Sequence, residues 1–166
     1  MADRELVLVD TCIWIQFFNR PQSREKHAVD QLLDEDRAAL IGPLLTEVLR
    51  GFAKKAQADW VASVLRGAHY LDLSWDDWRA AADLARQLAS RGHELPLSDL
   101  ALAALALESD HAVYSTDPDF DLIPNLKRFW PSKPRKGLAN RQRPDRSDVQ
   151  DHHGASETLW HTLRRR

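Results

Sequence analysis

The chain has one cysteine, Cys12, among its 166 residues, so it has no internal disulfide. A single thiol fits a reducing compartment, and the cytoplasm is the expected location. Cys12 follows an apolar run and reads as a small core residue rather than a nucleophile. No group of Cys and His has zinc-ligand spacing. No apolar run approaches the roughly 20 residues that span a bilayer, so no membrane segment is expected. The first residues, MADRELVLVD, carry no secretory n-region or h-region. Internal repeats are absent.

What remains is an ordinary globular composition, 43% hydrophobic and 29% charged, long enough for one domain with a real core. The net charge of −2 hides a split. Residues 1–130 hold 14 Lys/Arg and 21 Asp/Glu, a net −7, whereas 131–166 hold 9 and 4, a net +5. Pro, Lys, Arg, Asn, Gln, Ser and Asp dominate after Pro131. The expected organisation is therefore a domain over 1–130 and a basic, disordered extension over 131–166. Arg141, Arg143, Arg146 and Arg164 to Arg166 give that extension charge for RNA, or leave it merely solvated.

Strand and helix signals alternate through the body. ELVLV (5–9) is a short continuous apolar run, as in a strand buried on both faces. AALIG (38–42), HYLDLS (69–74) and AVYST (112–116) are further strand candidates, and LKRFW (126–130) is a short fifth. Helices are expected from Thr11 to Phe18, Arg24 to Asp36, Pro43 onward, Gln57 to Arg66, Trp75 to Ser90 and Ser98 to Leu107. Ser74 and Ser98 are the expected caps of the last two, and Gly92 follows the end of the fifth. On the first helix, Ile13 and Phe17 share one face; Trp14 and Phe18 share a neighbouring one. That second pair either awaits a partner or packs in the core. Leu100 to Leu107 likewise suits a central buried helix or a dimer seam. The pattern is α/β with a parallel sheet of about five strands flanked by helices.

Acids fall where such a sheet binds ligands, at the carboxyl ends of its strands. Asp10 lies just past the first strand, Asp117 just past AVYST, Glu47 one turn into the helix after the second strand, and Asp99 in the first turn of the most apolar helix. Four carboxylates in one crevice repel one another, and a hard divalent cation relieves this. Mg²⁺ takes oxygen ligands and keeps several waters, which points to metal-activated water attacking a phosphoryl centre. Each acid also has an ordinary reading. Asp10 can cap a helix, Asp99 can favour a helix dipole, Asp117 can serve the turn before Pro118, and Glu47 can be a surface glutamate. Spacing alone leaves both accounts open.

The segments LVLVDTCIWI, TEVLRG, PLSDLALAALAL and YSTDPDFD occur in this order. They resemble the four acidic motifs of PIN-domain ribonucleases, in particular VapC-type toxins of toxin–antitoxin modules, over about 1–130. The resemblance implies Asp10, Glu47, Asp99 and Asp117 as a catalytic, metal-binding quartet. It implies Thr11 and Thr116 as hydroxyls orienting carboxylate or water, with Asp119 as a further acid and Gly51 as the motif glycine. It further implies an endoribonuclease dependent on Mg²⁺ or Mn²⁺, a homodimer, an RNA substrate and a VapB-like antitoxin. The rival readings are a non-catalytic PIN-like module that binds RNA or protein, and an aspartyl-phosphate enzyme or receiver domain. Against the last, Cys12 occupies the position of a second Asp, and the last motif has no Lys to offset its charge.

Overall fold

A strand that is apolar at every position needs cover on both faces. β1 (Val7–Val9) is wholly buried, and its side chains alternate between two cores: Leu8 joins one, Val7 and Val9 the other. β2 (Ala38–Ile41), β3 (His69–Leu71) and β4 (Ala112–Tyr114) complete a parallel sheet in the order β3-β2-β1-β4. The structure is a computed structural model that describes residues 5–132. The extension expected over 131–166 lies outside the described residues beyond Ser132.

Six α-helices flank the sheet among the described residues: α1 (Thr11–Asn19), α2 (Arg24–Asp34), α3 (Gly42–Arg50), α4 (Lys55–Leu65), α5 (Trp75–Ala89) and α6 (Leu97–Glu108). α5 and α6 join Leu8, Ala39, Ile41 and Val113 in one core. α1, α2 and α4 join Val7, Val9, Ala38 and Tyr114 in the other. α3 serves both, with Leu44 in the first and Val48 in the second.

This layering settles the two open packing questions. Leu100 to Ala106 are all buried, so α6 is a central helix between the sheet and α5. Trp14 has no exposed surface and meets Phe17 edge-on at 5.6 Å. Phe18 is half-buried and meets Phe52 at 6.3 Å and Trp60 at 5.8 Å. The second face of α1 is therefore covered within the chain.

Two expected elements differ. The fifth strand is reduced to one parallel bridge, Val113 to Arg128. Asn125, at φ 63°, turns the chain just before it, and Pro131, which lacks an N–H for a ladder, follows. Ser98 is not a cap: α6 starts at Leu97, and Pro96 C=O accepts from the N–H groups of Asp99 (3.1 Å) and Leu100 (3.0 Å). Ser74, by contrast, forms a full capping box with Asp77.

Beyond α5 the chain reverses at Gly92, whose φ is 82°. A Cβ there would meet nothing within 4 Å, so the cost of a side chain is purely conformational. Gly92→Ala is expected to cost about 1 kcal/mol and to lower the melting temperature by about 2–4 °C. A thermal melt reads this directly, and an unchanged melt would mean that the turn relaxes to negative φ.

Candidate active site

The strand order places a topological switch beside β1. The chain goes from β1 to β2 and β3 on one side, then returns to β4 on the other. The crevice between the carboxyl ends of β1 and β4 is where such sheets bind ligands. Asp10 follows β1 and the 115–117 segment follows β4, so both reach this crevice as direct continuations of buried strands.

Asp10 is 5% exposed, and three donors hold its carboxylate. Thr11 N–H donates to Oδ1 at 2.6 Å, which is the helix cap foreseen for this residue. Capping leaves Oδ2 unexplained. That oxygen accepts from the Ser115 hydroxyl at 2.7 Å and the Cys12 thiol at 3.0 Å. Burial raises the Asp10 pKa above the usual carboxylate range, these three hydrogen bonds oppose the rise, and the Asp117 charge adds to it.

The other acids join through the same network. The Thr11 hydroxyl donates to Glu47 Oε2 at 2.9 Å, tying α1 to α3. The Ser115 hydroxyl also accepts from Asp117 N–H at 2.9 Å. Asp117 caps the 3-10 helix Pro118–Leu122 by accepting Asp119 N–H at 2.9 Å. Asp99, half-buried in the first turn of α6, is pushed up to about 8. Burial is the largest cause, followed by the charges of Asp10, Glu47, Asp117 and Asp119. The acids named from sequence therefore share one electrostatic neighbourhood, although they come from four separate segments of the chain.

Two residues carry more than their sequence positions suggested. Ser115, with no exposed surface, bridges Asp10 to the Asp117 backbone. Thr116 is exposed, and its hydroxyl lies 3.4 Å from Cys12 Sγ. Cys12 is a site neighbour as well as a packing residue. Burial, then the Asp10 charge, pushes its thiol up to about 12, so it stays protonated and donates.

The donor set is all oxygen and strongly acidic, which suits a hard divalent cation and not zinc. Among the described residues no three Asp, Glu, His or Cys side chains already form a cage around one point.

A PIN domain model matches residues 7–126. Ribonuclease VapC11 of Mycobacterium tuberculosis is 28% identical over 125 residues, covering 73% of this chain and 93% of that protein. Among solved structures, VapBC2 from Rickettsia felis, bound to a DNA fragment from its promoter, superposes with a TM-score of 0.66 at 20% identity, over 75% of this chain and 97% of that one. DNA-bound VapBC from Salmonella typhimurium gives 0.64 at 16% identity, over 76% and 98%. With the site built on the elements described above, the chain belongs to the PIN domain family.

Proposed function

We propose that this chain is a VapC-type, metal-dependent endoribonuclease toxin that hydrolyses RNA phosphodiester bonds. The observation that carries the reading is Asp99, whose carboxyl is raised to about 8 by burial and by Asp10, Glu47, Asp117 and Asp119. A fold held together for its own sake has no need to concentrate this much like charge in one crevice. Similarity to a protein named as a ribonuclease supplies the substrate class.

Asp10, Glu47, Asp99 and Asp117 would hold Mg²⁺ or Mn²⁺, with Asp119 beside them. The bound cation supplies Lewis-acid polarisation of the phosphate and a water nucleophile of lowered pKa. The chain's own side chains do the positioning. Thr11 N–H, Ser115 and Cys12 fix the Asp10 carboxylate, and the Thr11 hydroxyl fixes Glu47. Burial and the surrounding acids hold the Asp99 carboxyl well above the usual carboxylate range, and a positive charge beside it would favour the ionised form.

A VapB-like antitoxin is the proposed partner, since the structural neighbours include VapBC complexes. The chain is proposed to act as a homodimer in the cytoplasm. Trp75, Trp78 and Leu97 are exposed and offer apolar area for such interfaces. Among the described residues no helix is long and apolar enough to cross a membrane. The basic 131–166 segment is proposed as an extension outside the nuclease domain that adds affinity for phosphate.

The deciding experiment incubates the purified full chain, free of antitoxin, with total cellular RNA and Mg²⁺ or Mn²⁺. Discrete fragments are expected, and EDTA is expected to suppress them. A folded protein that cuts no RNA pool with either metal would move the assignment to a non-catalytic binding module.

A further inference from the structure

We infer that Arg128 is a positioning residue for this site, acting on the loop that carries Ser115 and Asp117. Its Nη2 donates to Ser115 C=O at 2.8 Å and to Asp117 C=O at 3.4 Å. Its Nη1 pairs with the Asp121 carboxylate. The side chain is only 10% exposed, and its guanidinium carbon lies 5.5 Å from the Phe120 ring centroid and 5.2 Å from that of Trp130.

One cation thus grips three points of a seven-residue loop, Ser115, Asp117 and Asp121. Two of these are the backbone carbonyls of the residues whose other groups build the site. The Ser115 hydroxyl reaches Asp10, and the Asp117 carboxylate adds charge to Asp10 and Asp99. Arg128 is itself fixed in register by the bridge to Val113, where Val113 N–H donates to Lys127 C=O at 2.9 Å and Phe129 N–H to Val113 C=O at 2.8 Å. The abbreviated fifth strand therefore has a use: it anchors the clamp to β4.

Burying a guanidinium is costly unless its donors are met. Its two Nη groups meet two carbonyls and a carboxylate at once, which leaves only the buried Nε without a partner among the described residues, while an ammonium is a point charge on a flexible stem. Lysine at this position keeps the charge but cannot span the three acceptors. No residue of YSTDPDFD (114–121) is cationic, so this role falls to Arg128, outside the motif. The consequences for Mn²⁺ affinity and turnover rest on the proposed metal-dependent nuclease; the consequence for loop order does not.

Arg128→Lys and Asp121→Asn in the full chain test this with three readouts. The first is amide hydrogen exchange at Asp117 and Asp119, whose N–H groups are held by Ser115 Oγ and Asp117 Oδ1. The second is Mn²⁺ affinity measured without RNA, and the third is the split of cleavage between kcat and KM. In Arg128→Lys, exchange at both amides is expected to rise while β1 stays protected. Mn²⁺ affinity and kcat are each expected to fall by roughly 10–100-fold, with KM unchanged. Asp121→Asn, which alters an exposed partner, is expected to move all three in the same direction by less. Unchanged exchange, or faster exchange with normal Mn²⁺ affinity, overturns the inference. So does loss of protection across the whole sheet in both variants, because Arg128 would then serve the fold and not the site. If Arg128→Lys alone fails to fold, Asp121→Asn decides. If the wild type binds Mn²⁺ but cuts no RNA, the nuclease reading fails while exchange and affinity still judge Arg128.

Discussion

Asp99→Asn is expected to raise the melting temperature of the metal-free protein while removing RNA cleavage. The two effects have one cause. Asp99 sits in a crevice where burial and four neighbouring acids push its pKa up to about 8. In the unfolded chain the same group titrates near its ordinary 3.8. Below pH ~4 both states hold the proton and the group is neutral to stability. Between there and about 8 the unfolded state has lost its proton and the folded state has not, so stability falls as pH rises. Above 8 the folded protein carries the full cost of the charge. Each unit of displacement is worth about 1.4 kcal/mol, and residual water at a half-buried side chain leaves on the order of 2 kcal/mol. Asparagine removes the charge and keeps the shape. The expected gain is therefore ~5 °C at pH 8 and close to zero at pH 4.

Adding Mg²⁺ should reverse the ranking. A cation that binds only the folded state stabilises it by mass action, and the wild type has the more negative site. Melts with and without metal, across that pH range, separate the two contributions. The loss of cleavage should exceed the roughly 10–100-fold expected when a group merely orients a ligand. A mutant that melts lower than the wild type at pH 8 would mean that Asp99 serves the start of α6 and not a metal site.

The parts of this fold legible in the sequence are those where one local rule decides. Val7, Leu8 and Val9 alternate between two cores, so no polar residue can sit among them. Ser74 and Asp77 close a capping box with no help from the tertiary structure. Asp10 and Asp117 stand out because they follow strands, Glu47 and Asp99 only through their places on helices, and the charges acting on Asp99 put all four in one field. What escaped depends on direction after periodicity ends. β4 stops at Tyr114, and from there strand alternation no longer says whether Ser115 or Thr116 turns inward. A similar gap hid Cys12, which packs against α1's neighbours but aims its thiol at Asp10. Arg128 reads as one basic residue in a short strand, and only the bridge to Val113 sets it behind the loop. The Ser98 cap failed because the helix starts a residue earlier: Pro96 is the cap, its carbonyl accepts from Asp99 and Leu100, and Ser98 lies inside the first turn.

Asp10→Asn should abolish cleavage and leave the fold standing, and the hydrogen bonds say why both halves hold. Asparagine keeps an oxygen for Thr11 N–H, and Asn caps helices about as well as Asp. Its amide nitrogen would then occupy the place of Oδ2, where the Ser115 hydroxyl and the Cys12 thiol, both donors to Asp10, each turn from donor to acceptor. Packing around a 5% exposed residue is preserved because the two side chains have nearly the same volume. What disappears is the negative charge at the switch between β1 and β4, so cleavage should fall by more than roughly 100-fold with a near-native melt. Ser115→Ala makes the companion measurement. It deprives Oδ2 of its buried hydroxyl and Asp117 N–H of its acceptor, at a stability cost of about 1 kcal/mol and a loss of roughly 10–100-fold in cleavage. Thr116→Ala touches neither group directly and reaches Asp10 only through the Cys12 thiol, so it should lose less cleavage than Ser115→Ala. If Thr116→Ala instead loses as much as Ser115→Ala, the hydroxyl that orients Asp10 in the working enzyme is not the buried one, and the 115–117 loop must rearrange when substrate or metal binds.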